Sequence, residues 1–354
     1  MTCRRRERDH GPARRRSVEP TRRQVLFTAL SSGLVAACAS RTRVPPSGST
    51  PAAAGTGVTP TTSVPAPPGT SALASVSPAP SLPAAHPWVA RRGEVQPAVK
   101  ARATSLVEAV GTWSDGQGDL ASARRRAAAA GHAPALADGL AVLLGTAESA
   151  VTVVRDAQYG GILSGAASVL VVVDQWRATS SAVVAGGTTV DVRLVAASPH
   201  WRVTEVLPAK PGSAVAASSL SRTARRVLAD SRVRLPYAAR ADVRAGRIHD
   251  SVLALLLSMS QAHVVDVSVM RSGHPLLVFG TSRPSDHPRG RAVDVWALDG
   301  RALVLPTNHA LAAEGMRYAV AHGAYNVGGP VRLTGRQYFS DRTHQDHIHL
   351  GLAS

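Results

Sequence analysis

Two histidine-containing segments near the C-terminus constrain the fold of this chain more than any other feature of its sequence. The first is Ser285–Asp294, in which a glycine separates His287 from Asp294, and the second is His344–His349. Neutral imidazole nitrogens and carboxylate oxygens are ligands that zinc takes in proteins. A fold that uses both segments in one site must therefore bring two distant parts of the chain together.

The predicted strands show how this can happen. Alternating apolar residues predict strands over Ala292–Ala297 and Asp346–Leu350. Alternate side chains of a strand share a face, so neighbouring strands would allow Asp294 to meet His349 over one metal ion. His287 would then arrive from the loop that precedes the first strand. These three residues form the predicted metal-ligand set.

A known family carries the same pattern. Residues 285–294 read S-D-H-P-R-G-R-A-V-D and match every defined position of the signature S-x-H-x-x-G-x-A-x-D. This signature belongs to zinc D-Ala-D-Ala-type peptidases, which include D,D-carboxypeptidases and murein endopeptidases. The resemblance covers roughly residues 245–354. It implies a Zn²⁺ cofactor held by His287, Asp294 and His349, and hydrolysis of amide bonds in peptidoglycan stem peptides.

The ending of the chain supplies the candidate catalytic groups. The related families have an acid three residues before the last ligand, which nominates Asp346 as the general base. Strict strand alternation would turn Asp346 away from His349, unless the strand begins later or contains a bulge. His347 shares the face of His349 and is the alternative, as a base or as a hydrogen-bond donor to the tetrahedral intermediate. The spacing of His344, His347 and His349 resembles the endopeptidase ending.

The chain also departs from the family. Many of the carboxypeptidases have Ser-Gly-Tyr-Arg upstream of the signature, whereas Ser272–Pro275 reads S-G-H-P, with its histidine interpreted as a turn residue. The arginine that would bind a substrate carboxylate or oxyanion is missing, so Arg283 or Arg271 would have to replace it. Ser285 and His344 complete the predicted substrate-side residues. A loop or surface role is the simpler alternative for both.

Residues 1–38 predict export. Thr21–Phe27 resembles a twin-arginine signal, and the apolar run Val25–Ala37 that overlaps it is shorter than the roughly 20 residues of a membrane-spanning helix. Val35–Cys38 resembles the lipobox of bacterial lipoproteins. The sequence therefore predicts a lipoprotein anchored through Cys38 to the outer face of the cytoplasmic membrane.

The next two regions differ in composition. Residues 39–87 consist mainly of Pro, Ala, Ser, Thr and Gly, which predicts a disordered tether. Residues 88–210 predict a small α+β domain with helices over Asp119–Ala130 and Pro134–Leu144, and no site is evident in it. Four β-branched runs predict an antiparallel meander: Val151–Val154, Val169–Val173, Thr189–Val195 and Trp201–Leu207.

Residues 220–354 predict a second α+β domain, separated from the first by the low-complexity segment Pro208–Ser219. Leu220–Ala229, Ile248–Ser260 and Thr307–His322 are predicted to be helical. The second of these is apolar almost all round, which is typical of a buried helix. Together with an antiparallel sheet, these helices give the fold expected of the zinc peptidases.

The distribution of charge argues against one class of partner, and the cysteine content argues against disulfide bonds. Residues 1–43 hold eleven arginines against three acidic residues and so contribute +8 of the net charge of +17. The rest of the chain has no dense basic stripe with interleaved aromatic residues, so nucleic acid is not expected as a partner. Cys3 and Cys38 are the only cysteines, which rules out a disulfide framework in the folded part.

The sequence as a whole predicts an exported, lipid-anchored zinc metallopeptidase that acts on peptidoglycan peptides. Its alternative is a non-catalytic cell-wall-binding or scaffold lipoprotein that retains the peptidase fold. The sequence does not distinguish carboxypeptidase from endopeptidase activity.

Overall fold

Residues 81–353 are the part of the chain that the computed structural model describes, and they belong to one compact unit. Cys38, the predicted export signal and most of the predicted tether lie outside the described residues. Residues 81–87, the end of that predicted tether, form no helix or strand.

Helices form the first layer of the middle region. Helix α1 (Pro97–Gly111) was not predicted, although Val99, Ala103 and Leu106 already mark an apolar face with helical spacing. Helix α2 (Leu120–Ala129) confirms the helix predicted over Asp119–Ala130, and its N-terminus is capped by Asp119, whose side chain accepts a hydrogen bond from the Ser122 amide. The predicted helix that follows is a 3₁₀ helix, Pro134–Leu143.

The predicted antiparallel meander is confirmed, with longer strands than the β-branched runs suggested. Its order is β1-β2-β3-β4. On β2, Val169, Val171 and Val173 pack into the core under the helices, whereas Leu170 and Val172 face the other way, toward Val269 of the C-terminal region. Both faces of β2 are therefore buried. The bounds are β1 Ser149–Ile162, β2 Ala166–Ala178, β3 Val183–Val195 and β4 Arg202–Pro208.

The helices of the C-terminal region largely follow the sequence pattern. Three predicted helices are present as α3 (Arg222–Ala229), α5 (Asp250–Met259) and α6 (His309–Ala321), whereas α4 (Tyr237–Arg244) was not predicted. Helix α5 buries most of its circumference, as its apolar sequence requires. Among the helices of residues 81–353, none has the length and apolar character needed to cross a membrane.

The C-terminal sheet is mixed rather than wholly antiparallel. Its order is β10-β9-β11-β7-β6-β5, with β8 paired to β7. The central strands are antiparallel, but the two edge pairs, β5 with β6 and β10 with β9, are parallel. The bounds are β5 Val233–Arg234, β6 Val265–Val269, β7 Ala292–Leu298, β8 Arg301–Ala302, β9 Ala324–Gly328, β10 Tyr338–Phe339 and β11 Ile348–Leu352.

Each region has a main hydrophobic core of its own. One core draws on residues between Val99 and Val206, and the other on residues between Leu220 and Leu352. The segment between β4 and α3 contains only a short 3₁₀ turn, Ala217–Ser219. Helices combined with largely antiparallel sheets make the described residues an α+β protein, as the sequence predicted.

Candidate metal centre

Strands β7 and β11 bring the two histidine-containing segments together. They pair in antiparallel register, with Asp294 directly opposite His349. Directly opposed residues of an antiparallel pair point to the same face of the sheet. The strand adjacency expected from the sequence is therefore present.

Three ligand-type atoms converge at this point. His287 Nε2 and His349 Nδ1 lie 3.2 and 3.1 Å from Asp294 Oδ1, and 3.1 Å from each other. Around a tetrahedral zinc ion with bonds of about 2.0–2.1 Å, neighbouring ligand atoms are separated by about 3.3–3.4 Å. The three residues are buried. The spacing and the chemistry of this donor set thus fit a zinc-sized cation.

His287 is oriented by its second ring nitrogen. Its Nδ1 donates to the carbonyl oxygen of Met270. This bond fixes the proton on Nδ1 and leaves the lone pair of Nε2 directed at Asp294 and His349, as is usual for histidines that bind metals. Ser285 also acts on this residue, because its hydroxyl accepts a hydrogen bond of 3.3 Å from the His287 amide. Ser285 is itself buried and acts as the loop hydrogen-bonder that the sequence offered as the simpler reading.

The short 3₁₀ turn His287–Arg289 ends at Gly290, which has φ of 72°. A Cβ at this position would lie 2.1 Å from the carbonyl oxygen of Arg247. The Gly290 carbonyl also accepts a hydrogen bond from the His249 amide. The signature glycine is needed here for both its left-handed conformation and its close contact with the chain before α5.

His274 is a further metal-ligand candidate that the sequence reading missed. Its ligand atom and those of His287 and Asp294 all lie within 4.8 Å of one another, so these three could hold a metal ion. Its ring stacks on the His287 ring at 3.8 Å between centroids. The interpretation as a turn histidine overlooked this because the stacking partner is distant in sequence.

The charge states of the centre favour metal binding. Burial lowers the pKa of His349 to about 4 and that of His274 well below its usual value, so both imidazoles are neutral near pH 7. Burial raises the pKa of Asp294, but His287 and His347 outweigh it and the net shift is well downward. A neutral imidazole and a carboxylate are the protonation states that metal ligands require, and His349 and Asp294 have them.

Asp346 lies outside β11, which begins at Ile348, so strand alternation does not apply to it. Its Oδ1 is 2.5 Å from His347 Nδ1. Its Oδ2 forms an ion pair of 2.6 Å with Lys100 Nζ and accepts a hydrogen bond of 3.1 Å from the Tyr159 amide. Both carboxylate oxygens are therefore engaged, and neither has a contact with the three converging ligand atoms.

His347 faces the centre instead. Its Nε2 lies 3.7 Å from Asp294 Oδ1, while Nδ1 is held by Asp346. Burial lowers the pKa of His347, but the charges of Asp294 and Asp346 outweigh it and raise the value to about 9. Of the two predicted catalytic residues, His347 is the one that presents an atom to the centre.

The remaining predicted residues lie at different distances from the centre. His344 is held by Asp341 through a bond of 2.8 Å to its Nδ1, and its ring centroid is 5.7 Å from that of His349. Arg283 is on an exposed loop, and its amide donates to the Thr281 hydroxyl. The Nε of Arg271 donates to the carbonyl of Pro288, the residue after His287.

The middle region also reaches the centre, contrary to the expectation that no site residue lies in it. Gln158 of β1 donates to Asp294, and Lys100 of α1 pairs with Asp346. Gln158 lies beyond the predicted run Val151–Val154, so no pattern in the sequence marked it. Its burial on β1, and with it the need for a polar partner, is known only from the structure.

A cleft of about 1040 Å³ runs along both regions and includes His274 and Pro288 in its lining. It approaches the centre from the His274 side. Comparisons with family models, curated proteins and solved structures found no match to this chain. Function must therefore be inferred from the residues of the site.

Proposed function

We propose that the protein is an exported zinc-dependent peptidase that hydrolyses an amide bond in peptidoglycan stem peptides. The observation that carries this proposal is the triangle of His287 Nε2, Asp294 Oδ1 and His349 Nδ1, with mutual distances of 3.1–3.2 Å, beside the imidazole of His347. His287 and Asp294 belong to the segment that resembles the signature of the zinc D-Ala-D-Ala-type peptidases, and His349 is the residue that matches the last ligand of those families.

His287, Asp294 and His349 would hold the zinc ion, and His274 stands as a nearby further donor. When bound, zinc supplies Lewis acidity, which polarises a carbonyl group and lowers the pKa of water. The chain's own part is to keep three donors fixed and buried. The Met270 carbonyl and the Gly290 turn do this for His287.

His347 is the proposed general base. Its Nε2 is positioned to accept a proton from the attacking water and to deliver it to the departing amine. Asp346, the first nominee from the sequence, instead holds Nδ1 of His347 and so fixes the tautomer of the ring. The pKa of His347, about 9, is held up largely by the charge of Asp294. A cation bound to Asp294 would oppose this effect and leave more of His347 unprotonated near neutral pH.

Two residues are candidates for binding the substrate. His344, tied to Asp341, lies beside His349 and is placed to contact a bound peptide. Arg271 bonds the carbonyl of Pro288, next to the ligand His287, whereas the Arg283 side chain is exposed, so Arg271 is the better candidate to meet a substrate carboxylate or oxyanion. Anchoring through Cys38 at the outer face of the membrane would give the site access to the cell wall.

A second candidate function is a cell-wall-binding protein that retains the peptidase fold without catalysis. The observation in its favour is the sequence at 272–275, where the Tyr-Arg pair of many related carboxypeptidases is replaced by His274 and Pro275. Without that arginine the site lacks one group that would bind the substrate carboxylate or oxyanion during catalysis. The three metal-ligand residues are unaffected by this replacement.

The test is incubation of the purified Cys38→Ala chain with isolated peptidoglycan, with a chelator and then with zinc restored. We expect peptide fragments whose release stops with the chelator and returns with zinc. The His347→Gln variant is the matched control, because it should keep zinc yet release no fragments. A zinc-loaded protein that sediments with peptidoglycan and cleaves no bond would favour the binding function.

A further inference from the structure

We propose that residues 88–210 complete the metal centre through two positioning residues. Gln158 fixes the zinc ligand Asp294, and Lys100 fixes Asp346 behind the imidazole base. The inference rests on the proposed function, because it assigns roles within the same site. The segment that carries the family signature supplies neither residue.

Gln158 acts on the carboxylate oxygen that the other ligands leave unused. Its Nε2 donates to Asp294 Oδ2 at 2.6 Å, while Asp294 Oδ1 faces His287 and His349. The Gln158 side chain is fully buried. Gln158 thus holds Oδ2 in place, and Oδ1 is directed at the metal position. The two contacts together fix the rotation of the carboxylate about its Cβ–Cγ bond.

Ser268 determines which way the Gln158 amide points. The Ser268 hydroxyl donates to Gln158 Oε1 and lies 3.2 Å from the Asp294 carbonyl oxygen. An amide turned the other way would face the Asp294 carboxylate with its oxygen, and two acceptors cannot hydrogen-bond to each other. The arrangement Ser268–Gln158–Asp294 therefore has one favourable orientation.

The shape of β1 explains how a middle strand reaches the C-terminal sheet. Its pairing with β2 shifts register between Val154 and Asp156 and again between Tyr159 and Gly161. Such bulges bend a strand and redirect its side chains. Gly161 lies against Phe279 so closely that a Cβ there would be 2.1 Å from the Phe279 Cβ.

Lys100 acts on the other side of the centre. Its ammonium group is fully buried and pairs with Asp346 Oδ2 at 2.6 Å and with Glu94. The Tyr159 amide donates to the same Asp346 oxygen. Asp346 Oδ1 bonds His347 Nδ1. By holding the Asp346 carboxylate in place, Lys100 therefore also fixes the orientation of the His347 ring that faces the centre.

The charges of this group support a fixed arrangement. Burial by itself lowers the pKa of Lys100, but Asp346 and Glu94 outweigh it and the net shift is upward. Lys100 therefore stays protonated. Asp346 is likewise stabilised as a carboxylate, since Lys100 and His347 overcome the effect of burial and lower its pKa.

The Gln158 role is tested by zinc affinity, measured by competition with a chromophoric chelator in the full chain carrying Cys38→Ala. Gln158→Met should weaken zinc binding by about 10–100-fold, the usual effect of removing a partner of a metal ligand. Gln175→Met is the matched control, because the Gln175 amide is equally buried but bonds the Gly111 and Leu143 carbonyls. The control should lower the melting temperature and leave zinc affinity unchanged.

Ser268→Ala is the second variant, for the case in which Gln158→Met does not fold. It leaves Gln158 in place but removes the hydroxyl that orients the amide, so zinc affinity should fall by a smaller factor. If Gln158→Met folds and binds zinc with unchanged affinity, the proposed role of Gln158 is wrong. If Gln158→Met does not fold, unchanged zinc affinity in Ser268→Ala leads to the same conclusion. Equal losses in Gln158→Met and Gln175→Met would do the same.

The Lys100 role is tested with Lys100→Met combined with Glu94→Gln, which removes one positive and one negative charge from the interior. Zinc affinity should stay within about twofold of wild type, while kcat falls about 10-fold or more at unchanged KM. Nitrogen NMR of His347 in the zinc-loaded protein should show a smaller fraction of the tautomer protonated on Nδ1. Arg91→Met, which removes the Arg91–Asp156 pair nearby, should change none of these.

Parallel loss of zinc and turnover in the Lys100 variant would reduce its role to general stability and overturn the inference for that residue. Unchanged kcat with an unchanged His347 tautomer would do so as well. If neither the wild-type protein nor any variant cleaves peptidoglycan, the proposed function is wrong. The zinc affinities and the His347 tautomer still decide the inference in that case.

Discussion

Asp294 and His349 are direct cross-strand partners of β7 and β11, and their Oδ1 and Nδ1 atoms lie 3.1 Å apart. This pairing places one residue of each histidine-containing segment on the same face of the C-terminal sheet. His287 closes the triangle from the loop before β7, at 3.1 Å from His349. Two central strands of one sheet thus give the centre a rigid base.

The ligand set can be determined by zinc content. His287→Ala and His349→Ala should lose nearly all of the one zinc expected per chain, because each removes a corner of the triangle. His274→Ala should keep it, since His274 contacts His287 mainly by ring stacking. Elemental analysis after gel filtration measures this. Zinc retained in His349→Ala but lost in His274→Ala would make His274 the third ligand.

The base can be determined by comparing His347→Gln with Asp346→Asn on a peptidoglycan peptide. His347→Gln should lower kcat by roughly two orders of magnitude or more with zinc retained, because Nε2 is the atom that faces the centre. Asp346→Asn should change the His347 tautomer as well as the rate. Near-normal turnover in His347→Gln, together with an inactive Asp346→Asn, would return the base role to Asp346.

Gly290→Ala should destabilise the protein by more than the about 1–2 kcal/mol that a left-handed residue costs. The added Cβ would also meet the Arg247 carbonyl oxygen at 2.1 Å. Gly300→Ala is the control, because Gly300 has φ of 70° but no atom within 4 Å of its Cβ position. Urea unfolding of both variants measures the difference. Equal destabilisation would mean that the contact with Arg247 adds nothing.

His132 should make stability depend on pH. It is buried against Ser105, at 2.9 Å from the hydroxyl, and burial lowers its pKa from 6.5 to about 4. Between these values the unfolded chain binds a proton that the folded protein does not, so stability falls as the pH drops from 6.5 toward 4. His132→Gln should flatten this slope in thermal unfolding, whereas His200→Gln, at an exposed position, should not. An unaltered slope in His132→Gln would refute the assignment.

Export depends on residues outside the described range. Cys38→Ala should release the protein from the membrane fraction, and Arg22→Lys combined with Arg23→Lys should block export. Cys3→Ala is the matched control and should leave both unchanged. Fractionation of cells and immunoblotting measure the outcome. A Cys38→Ala protein that remains in the membrane fraction would remove the lipoprotein prediction.

Several parts of the fold were determined by local sequence. Asp119 and the apolar pattern after it specify α2, and the β-branched runs specify the meander, because capping and side-chain alternation act between near neighbours. The pairing of Asp294 with His349 was also within reach. Each strand was predicted by alternation, and only their adjacency had to be assumed.

What only the tertiary structure decided is which distant groups meet these residues. Gln158 reaches Asp294 across 136 positions of the chain, and the Tyr159 amide reaches Asp346 across 187. No periodicity in the sequence encodes such contacts, because they depend on how the bulged strand β1 packs against the C-terminal sheet. The proposal of His347 rather than Asp346 as base rests on the same packing. Lys100 and Tyr159 occupy one carboxylate oxygen, and the other is left to hold the imidazole.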